Sequence, residues 1–284
     1  MKLCSTFIFI FFALVDFANA CPLVKDLIDF NCNNRLKVTI IGDSIVKGVG
    51  DSRYNGDGGY PLRIRQDLNI RVENLGVPGI TSSQLLRDLI QNSNQQITHK
   101  KLRNADIIII DVGRNDFWKN ATPESVARNI QKLIRQLTPI MKEKGGVPYF
   151  VVATLVPTKR SFQQPFVDGI NSALLRFKSR RLPTNLYFHK LPNTVISDDM
   201  LHPSSKGYRR IAKFTEKYLK GRAQVAMAKQ RPDNDFDGIF DLFEDTKFFT
   251  DKYNPDTDGD SFTDFEEIFI HKTNPLDPLS FPVL

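Results

Sequence analysis

Three residues in the chain have the types and the spacing that nucleophilic catalysis requires. Ser44 stands just after an apolar run, in the tripeptide Gly-Asp-Ser, and a serine hydroxyl becomes a strong nucleophile only when a base removes its proton. His202 can act as that base. Asp199, three residues earlier, can fix the tautomer of the ring and stabilise the imidazolium. These residues predict a serine nucleophile with a histidine base and an orienting aspartate.

Such a reaction passes through a tetrahedral intermediate whose negative oxygen needs hydrogen-bond donors. We predict three donors for this oxyanion hole: the backbone N–H of Ser44, the backbone N–H of Gly76 and the side-chain amide of Asn115. Gly76 has no Cβ and so lets a substrate approach the backbone. Each residue also has an ordinary interpretation, because Gly76 and Gly79 could be turn glycines and Asn115 with Asp116 could cap a turn. The catalytic interpretation therefore depends on all the groups together.

Apolar, strand-like runs alternate with amphipathic, helix-like runs along the first 220 residues. Strands are expected at residues 36–41, 70–75, 105–112, 149–156 and 186–191, and helices at 60–68, 82–91, 123–144, 165–179 and 204–219. Continuous apolar strands separated by helices predict an α/β fold with a parallel sheet that is covered on both faces. Each polar group follows a different strand. In such folds ligands bind beyond the carboxyl ends of the strands, so the groups are expected to share one crevice.

The groups together resemble the four conserved blocks of the SGNH (GDSL) hydrolase family over residues 36–219. The blocks are Gly42-Asp43-Ser44, Gly76, Gly113-x-Asn115-Asp116 and Asp199-x-x-His202. The resemblance implies a flavodoxin-like three-layer α/β/α sandwich with a five-stranded parallel sheet. It also implies hydrolysis of esters or thioesters without a metal, with Ser44 as nucleophile, His202 as base and Asp199 as its orienter. The implied oxyanion donors are Ser44, Gly76 and Asn115.

The substrate class is less closely defined by the sequence. The chain looks most like the exported lysophospholipase, thioesterase and esterase branch of the family, which implies a lipid or small-molecule acyl ester. Two alternatives stay open: a carbohydrate esterase that removes acetyl groups from a glycan, and a non-catalytic calcium-dependent protein that binds a surface. Phe117 and Trp118 could line an acyl or sugar pocket, although a place in the core is the favoured interpretation.

The last fifty residues contain two copies of an acidic pattern, offset by 23 residues, that matches the calcium-binding loop of EF-hands. The predicted metal ligands are Asp233, Asp235, Asp237, Asp241 and Glu244 in the first copy and Asp256, Asp258, Asp260, Asp264 and Glu267 in the second. The second copy has Ser261 where the template has glycine. Asn254 and Pro255 exclude a regular helix before it. The pair therefore resembles thrombospondin type-3-like repeats, and we expect structural Ca²⁺.

Charge separates the two parts of the chain. Residues 233–284 carry 14 acidic and 3 basic side chains, a formal charge of −11, whereas the rest carries 36 basic and 18 acidic side chains, or +18. The basic part could favour an anionic lipid or glycan surface as partner, and the alternative that it serves only solubility stays open. No nucleic-acid motif is present. The expected domains are a hydrolase domain at 21–222, a linker at 223–232 and a calcium-binding module at 233–284.

Residues 1–20 have the pattern of a signal peptide, with a positive start, an apolar run and a small-x-small cleavage site that ends at Ala20. The sequence therefore predicts a secreted or periplasmic protein without a membrane span. Cys21 and Cys32 would remain after cleavage and could form a disulfide in an oxidising compartment. An alternative role for Cys21, as the lipid-carrying residue of a lipoprotein, is less favoured because Ala18 stands where that signal usually has leucine or valine.

Overall fold

The structure, a computed structural model, describes residues 23–24, 27–28, 35–52, 58–90, 101–143, 148–177, 182–223, 234–235, 237 and 239–280. The predicted signal peptide, the cysteines Cys21 and Cys32, Asp233 and nearly all of the predicted linker lie outside these residues. Two short segments, Leu23–Val24 and Leu27–Ile28, pair as an antiparallel ladder near the start of the described chain. The part that follows them is built around one parallel sheet.

This sheet has five strands in the order β2-β1-β3-β4-β5, and every neighbouring pair is parallel. The strands are β1 Lys37–Gly42, β2 Arg71–Gly76, β3 Ile107–Asp111, β4 Tyr149–Ala153 and β5 Thr184–Leu186. Three of them are buried along their whole length, as the continuous apolar runs predict. Because all strands point the same way, the loops that follow them meet at one edge.

Six helices cover the two faces of the sheet. They are α1 Ser44–Lys47, α2 Gly59–Leu68, α3 Ser82–Ile90, α4 Pro123–Glu143, α5 Gln164–Arg176 and α6 Ser205–Tyr218. One apolar cluster joins Val38 and Ile40 of β1 to helices α1, α2 and α6, and the other joins Ile41 to helices α3, α4 and α5. Successive side chains of a strand point to opposite faces, so one buried strand contributes to both clusters. The predicted three-layer α/β sandwich is confirmed.

Polar side chains begin two of these helices. The Thr122 hydroxyl accepts a hydrogen bond from the Ser125 N–H at 3.2 Å and caps α4. The Ser204 hydroxyl accepts one from the Gly207 N–H at 3.1 Å and caps α6. Both bonds satisfy N–H groups that have no partner within the helix, and they fix where α4 and α6 start.

The fifth strand differs from its prediction. It ends at Leu186 instead of continuing over 186–191, and a 3-10 turn, Phe188–Lys190, follows it. The Thr154 hydroxyl accepts the His189 N–H at 3.0 Å, so this N–H is bound by a side chain and not by a strand. Likewise, β4 ends at Ala153 instead of 156, because the amide of Asn171 on α5 binds both the N–H and the C=O of Leu155.

The acidic C-terminal region forms two loops, each followed by a short helical segment. The segments are Asp241–Phe243 with Glu244–Phe248 after the first loop and Glu266–His271 after the second. No helix precedes the second loop over residues 249–262, as Asn254 and Pro255 predict. The Phe265 N–H donates to Asp237 at 3.2 Å and joins the two loops. Within the described part of the chain, no helix is long and apolar enough to cross a bilayer.

Candidate active site

Ser44 lies on a sharp turn between β1 and α1. Asp43 caps α1, and its carboxylate accepts the Ile45 N–H at 2.9 Å. Gly42 lets the end of β1 lie close to β3. A Cβ at this position would be 2.0 Å from the carbonyl oxygen of Asp111 on the neighbouring strand. The turn places Ser44, the first residue of α1, at the carboxyl edge of the sheet, where only a small part of the residue remains accessible.

His202 and Asp199 lie on the loop between β5 and α6 and face Ser44. The Ser44 Oγ is 3.0 Å from His202 Nε2, and His202 Nδ1 is 2.6 Å from Asp199 Oδ2. Met200 adopts φ 66° in this loop, which tightens the turn enough for residues three apart to meet. The structure thus brings the three residues of the predicted triad into one chain of hydrogen bonds, although they are up to 158 positions apart.

Asp199 is held in its ionised form. Burial opposes ionisation, but hydrogen bonds from the Leu201 N–H, the His202 ring and N–H, and the Ser197 hydroxyl outweigh it. Together they keep the pKa of Asp199 well below its usual range. A carboxylate that stays ionised can keep the proton of the imidazole on Nδ1, so that Nε2 is free to accept the serine proton.

Asn115 lies on the 3-10 turn Arg114–Lys119, which follows β3, the strand that pairs with β1. Its amide donates one hydrogen bond to the Ile80 carbonyl at 3.0 Å. The neighbouring Asp116 accepts hydrogen bonds from the Ser82 N–H at 2.8 Å and the Ser82 hydroxyl at 2.7 Å. These contacts tie the β3 turn to the start of α3. The side-chain amide of Asn115 has two hydrogens, so a second donor remains for a ligand.

Gly76 has a different task from the one predicted. Its N–H donates to the side-chain oxygen of Asn74 at 3.0 Å, so it is already engaged. A Cβ at Gly76 would lie 2.2 Å from the Lys47 nitrogen, which means that the glycine allows β2 to pack against α1. The prediction of Gly76 as an oxyanion donor is therefore corrected, because its donor is bound within the protein.

Gly79 offers an available backbone donor that was not predicted from the sequence. It has φ 79° in a turn closed by the Ile80 N–H and the Val77 carbonyl at 3.2 Å. No described residue accepts its N–H, and a Cβ there would meet nothing within 4 Å. The turn lies next to Asn115 through the Asn115–Ile80 bond. The Pro78-Gly79 dipeptide, typical of a type II turn, is the signal that could have identified it.

A buried polar cluster supports the nucleophile from below and was not predicted from sequence. The Tyr60 hydroxyl donates to Asp111 at 3.1 Å, and the Arg114 guanidinium donates to the Val156 carbonyl. Burial and the nearby charge of Asp43 raise the pKa of Asp111 to about 7, whereas burial lowers the pKa of Arg114. The cluster joins β3 to α2 and joins the turn that carries Asn115 to the segment after β4. These contacts hold the elements around the site in fixed positions.

The aromatic residues after Asn115 are not core residues. Trp118 is 58% exposed, and Phe117 is partly exposed. The favoured interpretation of both as core aromatics is therefore wrong for Trp118. Its ring makes an edge contact with Phe117, with centroids 5.1 Å apart, and lies 6.2 Å from the ring of Phe162.

The acidic loops hold carboxylate oxygens that lack partners. Glu244 and Glu267 are fully buried, and Glu244 Oε2 and both oxygens of Glu267 accept no hydrogen bond from a described residue. In the second loop, carboxylate oxygens of Asp256, Asp258 and Asp260 lie within 4.8 Å of one another. Buried carboxylates without donors are costly unless a cation compensates them. This oxygen-rich donor set fits Ca²⁺.

Two predicted ligands of these loops have another role. Asp264 accepts hydrogen bonds from the Thr257 N–H at 2.9 Å and the Thr257 hydroxyl at 2.7 Å. Asp241 is bound in the same way by the N–H and side chain of Asn234. These carboxylates close their loops, because both oxygens of each accept hydrogen bonds from the second residue of the pattern. Their role as metal ligands stays a prediction, because a carboxylate oxygen that accepts one hydrogen bond keeps a second lone pair.

Solved structures with the same fold include several bacterial hydrolases. A lipase/acylhydrolase from Enterococcus faecalis superposes with a TM-score of 0.51 at 21% identity, over 66% of this chain and 96% of that chain. The psychrotrophic esterase EstA from Pseudoalteromonas sp. has a TM-score of 0.51 at 15% identity, over 66% and 98% of the two chains. A G-D-S-L family protein from Veillonella parvula has the same score at 16% identity, over 64% and 97%.

These likenesses establish a shared fold. A comparison with curated proteins found no match. The sequence profile of the GDSL-like Lipase/Acylhydrolase family matches residues 40–210, which is more than half of the chain and includes Ser44, Gly79, Asn115, Asp199 and His202. The chain is therefore a member of the GDSL-like lipase/acylhydrolase family and an ester hydrolase of the GDSL type.

Proposed function

We propose that the enzyme cleaves acyl esters through a covalent intermediate on Ser44. His202 removes the proton of the Ser44 hydroxyl as its oxygen attacks the ester carbonyl, and the proton then goes to the leaving alcohol as the C–O bond breaks. Water attacks the resulting acyl-serine with His202 again as base, which releases the acid and restores the serine. The observation that supports this most directly is the bond from Ser44 Oγ to His202 Nε2 at 3.0 Å, continued to Asp199 at 2.6 Å.

The oxyanion of each tetrahedral intermediate is proposed to accept hydrogen bonds from the N–H of Ser44, the N–H of Gly79 and the amide of Asn115. No described residue accepts the Ser44 or Gly79 N–H, and Asn115 uses only one of its two amide hydrogens in the contact with Ile80. Donors that are fixed in place before the reaction stabilise the developing charge without reorganising. The bonds of Asn115 and Asp116 to the turn before α3 supply this rigidity.

The proposed substrate is an acyl ester of a lipid, and the proposed location is outside the cytoplasm. Exposed apolar side chains next to the triad favour an apolar acyl group, and residues 1–20 have the pattern of a signal peptide. A deacetylase for a glycan could use the exposed aromatic rings to stack on a sugar, but it would need no exposed aliphatic side chains such as Val77 and Met200. The chain length that the enzyme prefers therefore separates these two substrate classes.

The C-terminal loops are proposed to bind Ca²⁺ in a structural role. Asp235, Asp237 and Glu244, with Asp233, would hold one ion. Asp256, Asp258, Asp260 and Glu267 would hold another. The ions would neutralise carboxylates that crowd these loops, and folding of the module would be coupled to the metal. The unpartnered oxygens of the buried Glu244 and Glu267 support the proposal.

Hydrolysis of p-nitrophenyl esters from acetyl to long-chain acyl groups, together with lysophospholipid, tests the proposed function. Ser44→Ala is expected to lose activity on every substrate, whereas Ser83→Ala, an exposed serine on α3, is expected to retain it. A preference for longer acyl chains would support a lipid substrate. Activity restricted to acetyl esters would favour the glycan deacetylase, and turnover in Ser44→Ala equal to that of the natural sequence would refute the mechanism.

A further inference from the structure

Within the described α/β region, exposed apolar side chains are concentrated around the catalytic residues, and four others lie in the C-terminal region. Among the described residues 35–223, five large apolar side chains are exposed, and four of them lie on loops at the carboxyl edge of the sheet. These four, which we call the apolar rim, are Val77 (49% exposed), Trp118 (58%), Phe162 (58%) and Met200 (45%). The fifth, Leu175, lies on α5. Exposed apolar residues that form a continuous group mark an interaction surface, whereas single ones need no explanation.

Contacts between the loops make the rim continuous. The rings of Trp118 and Phe162 are 6.2 Å apart, and the ring of Phe117 lies between 5 and 6 Å from both. The loop that carries Phe162 is joined to the catalytic loop, because the Met200 carbonyl accepts the Lys159 N–H at 3.0 Å and the Thr158 hydroxyl at 2.8 Å. The rim therefore extends from the Asn115 turn to the loop that carries Asp199 and His202.

Cationic side chains stand beside these apolar ones. Lys119 follows Trp118 directly, and Lys159 and Arg160 precede Phe162 on its loop. Lys119 and Lys159 are exposed, and Arg160 is partly exposed. On the catalytic loop, the exposed Asp198 and Asp199 are opposing charges, so the local balance of these three cations and two carboxylates remains positive. Apolar groups with adjacent lysine and arginine side chains match a surface of acyl chains beneath anionic headgroups.

We infer that the apolar rim docks the enzyme onto an anionic phospholipid surface, with Trp118 and Phe162 inserted among the headgroups and acyl chains. This inference rests on the proposed function and makes its substrate more specific: the ester is presented by a lipid aggregate. Docking in this orientation turns the open edge of the sheet, and with it Ser44, toward the lipid.

The mixed composition of the rim favours lipid over a sugar as its occupant. A sugar ring stacks on a flat aromatic face, but Val77 and Met200 offer none, and they make up half of the rim. Aliphatic and aromatic side chains both gain free energy when they leave water for the acyl region. Tryptophan and lysine are also typical of protein surfaces at the headgroup level.

Trp118 is the only tryptophan in the chain, so its emission reports directly on the rim. The experiment uses the full chain with Ser44→Ala, which removes the nucleophile and prevents turnover of the lipid. The protein is titrated with vesicles of phosphatidylcholine alone and of phosphatidylcholine mixed with phosphatidylglycerol. We expect a blue shift of the Trp118 emission, quenching by brominated acyl chains, and tighter binding to the vesicles that contain phosphatidylglycerol.

Variants made in the Ser44→Ala background locate the binding. Phe162→Ser is expected to weaken vesicle binding about tenfold, and Leu175→Ser, on α5 outside the rim, is expected to leave it unchanged. Circular dichroism and thermal melting establish that the variants fold. Emission that does not respond to vesicles would overturn the inference. So would a shift produced by neutral oligosaccharide instead of lipid, or one that appears with protein concentration alone and so indicates a second copy of the chain.

The outcome is independent of catalysis, because binding is measured without a nucleophile. If Ser44→Ala proved as active as the natural sequence, the proposed mechanism would fail whatever the vesicles showed. If the vesicles gave no signal while Ser44 proved essential, only the docking inference would fail.

Discussion

At the scale of single residues, the loop between β5 and α6 supplies both the base and the acid of the proposed triad. Asp199 accepts hydrogen bonds from backbone N–H groups and from Ser197 in addition to the His202 ring, so its charge and orientation are fixed before a substrate arrives. Preorganised electrostatics of this kind commonly supply a large part of enzymatic rate enhancement. Loss of the charge should therefore affect the chemical step more than binding.

Asp199→Asn is expected to lower kcat at least about a thousandfold with little change in KM, because the amide cannot stabilise an imidazolium and can impose the wrong tautomer on His202. Steady-state kinetics with a soluble p-nitrophenyl ester measures this. Asp198→Asn removes the same charge from the exposed neighbouring residue and is the control, with kcat expected within about twofold. A similar loss in both variants would contradict the assignment of Asp199 as the acid.

Asn115→Ala is expected to lower kcat about a hundredfold to a thousandfold, the usual cost of removing one oxyanion donor. The effect should appear in kcat more than in KM, since the donor is needed most in the tetrahedral intermediate. Kinetics and melting temperature measured together separate the loss of the donor from the loss of the Asn115–Ile80 contact. Unchanged kcat in a folded variant would remove Asn115 from the proposed oxyanion hole.

The triad residues could be identified from sequence because they follow predicted strands and have a fixed spacing. The donors of the oxyanion hole could not all be identified, because whether a backbone N–H is available depends on contacts that spacing does not define. Gly76 illustrates this: the Asn74 side chain takes its N–H. The buried polar cluster was missed for the same reason, since Asp111 meets Tyr60, and Arg114 meets the Val156 carbonyl, only when distant parts of the chain pack together.

At the scale of secondary-structure elements, β3 carries a buried carboxyl next to the nucleophile turn. Burial, reinforced by Asp43, raises the pKa of Asp111 from 3.8 to about 7. Between these two pH values, the folded protein therefore keeps a proton on Asp111 that the unfolded chain releases. Stability should consequently fall as pH rises from about 4 to 7, and it should level off above that range.

Asp111→Asn keeps an acceptor for the Tyr60 hydroxyl and removes the titration. The natural sequence is expected to lose up to about 4 kcal/mol of unfolding free energy between pH 4 and 8 through this group, and the variant is expected to lose much less. Urea denaturation at both pH values measures the difference. Asp88→Asn, an exposed carboxylate on α3, controls for a general charge effect. Equal pH dependence in Asp111→Asn and the natural sequence would contradict a raised pKa.

The second acidic loop contains a strained residue. Ser261 has φ 82°, the left-handed region in which a side chain is disfavoured and glycine is at ease. Ser261→Gly is therefore expected to stabilise the module by about 1 kcal/mol and to tighten calcium binding at this loop. Thermal melting and calorimetric titration with Ca²⁺ measure the two effects. Ser261→Ala retains the strain and should bring no gain, and a gain of the same size there would refute the explanation.

Most of the elements were predictable because their apolar runs are long and regular, as in the isoleucine-rich β3. The end of β5 was not predictable. The hydroxyl of Thr154, which is distant in the sequence, accepts the N–H of His189 in the segment that follows the strand. The absence of a helix before the second acidic loop was predictable, because Pro255 and its preceding residue restrict the backbone locally. Local steric restrictions on the backbone can be predicted from the sequence, whereas hydrogen bonds between distant residues cannot.

At the scale of the whole molecule, the proposed catalytic residues and the crowded carboxylates lie in two different regions of the chain. The α/β region contains the proposed catalytic residues and most of the positive charge, whereas the C-terminal region carries the unpartnered carboxylates. The described contacts of Ser44, His202 and Asp199 are all made within the α/β region. Calcium should therefore affect the stability of the C-terminal region and not the chemical step.

Chelation with EDTA is expected to lower the melting temperature of the C-terminal region and to leave kcat on a soluble ester within about twofold. A ligand at a hundred times its Kd stabilises a folded state by about 2.7 kcal/mol, and removing it abolishes this contribution. Calorimetric titration should find two bound Ca²⁺ in the natural sequence and one in Glu267→Gln. Loss of turnover on chelation, with the α/β region still folded, would indicate that the metal takes part in the reaction.

The central claim, that Ser44 forms the acyl-enzyme with His202 as its base, is tested most directly by covalent labelling. The full chain is treated with a p-nitrophenyl phosphonate ester and digested, and the modified peptide is identified by mass spectrometry. We expect one modification at Ser44, with simultaneous loss of esterase activity and much slower labelling of His202→Ala. Modification of another residue in step with inactivation, or full inactivation without modification of Ser44, would contradict it.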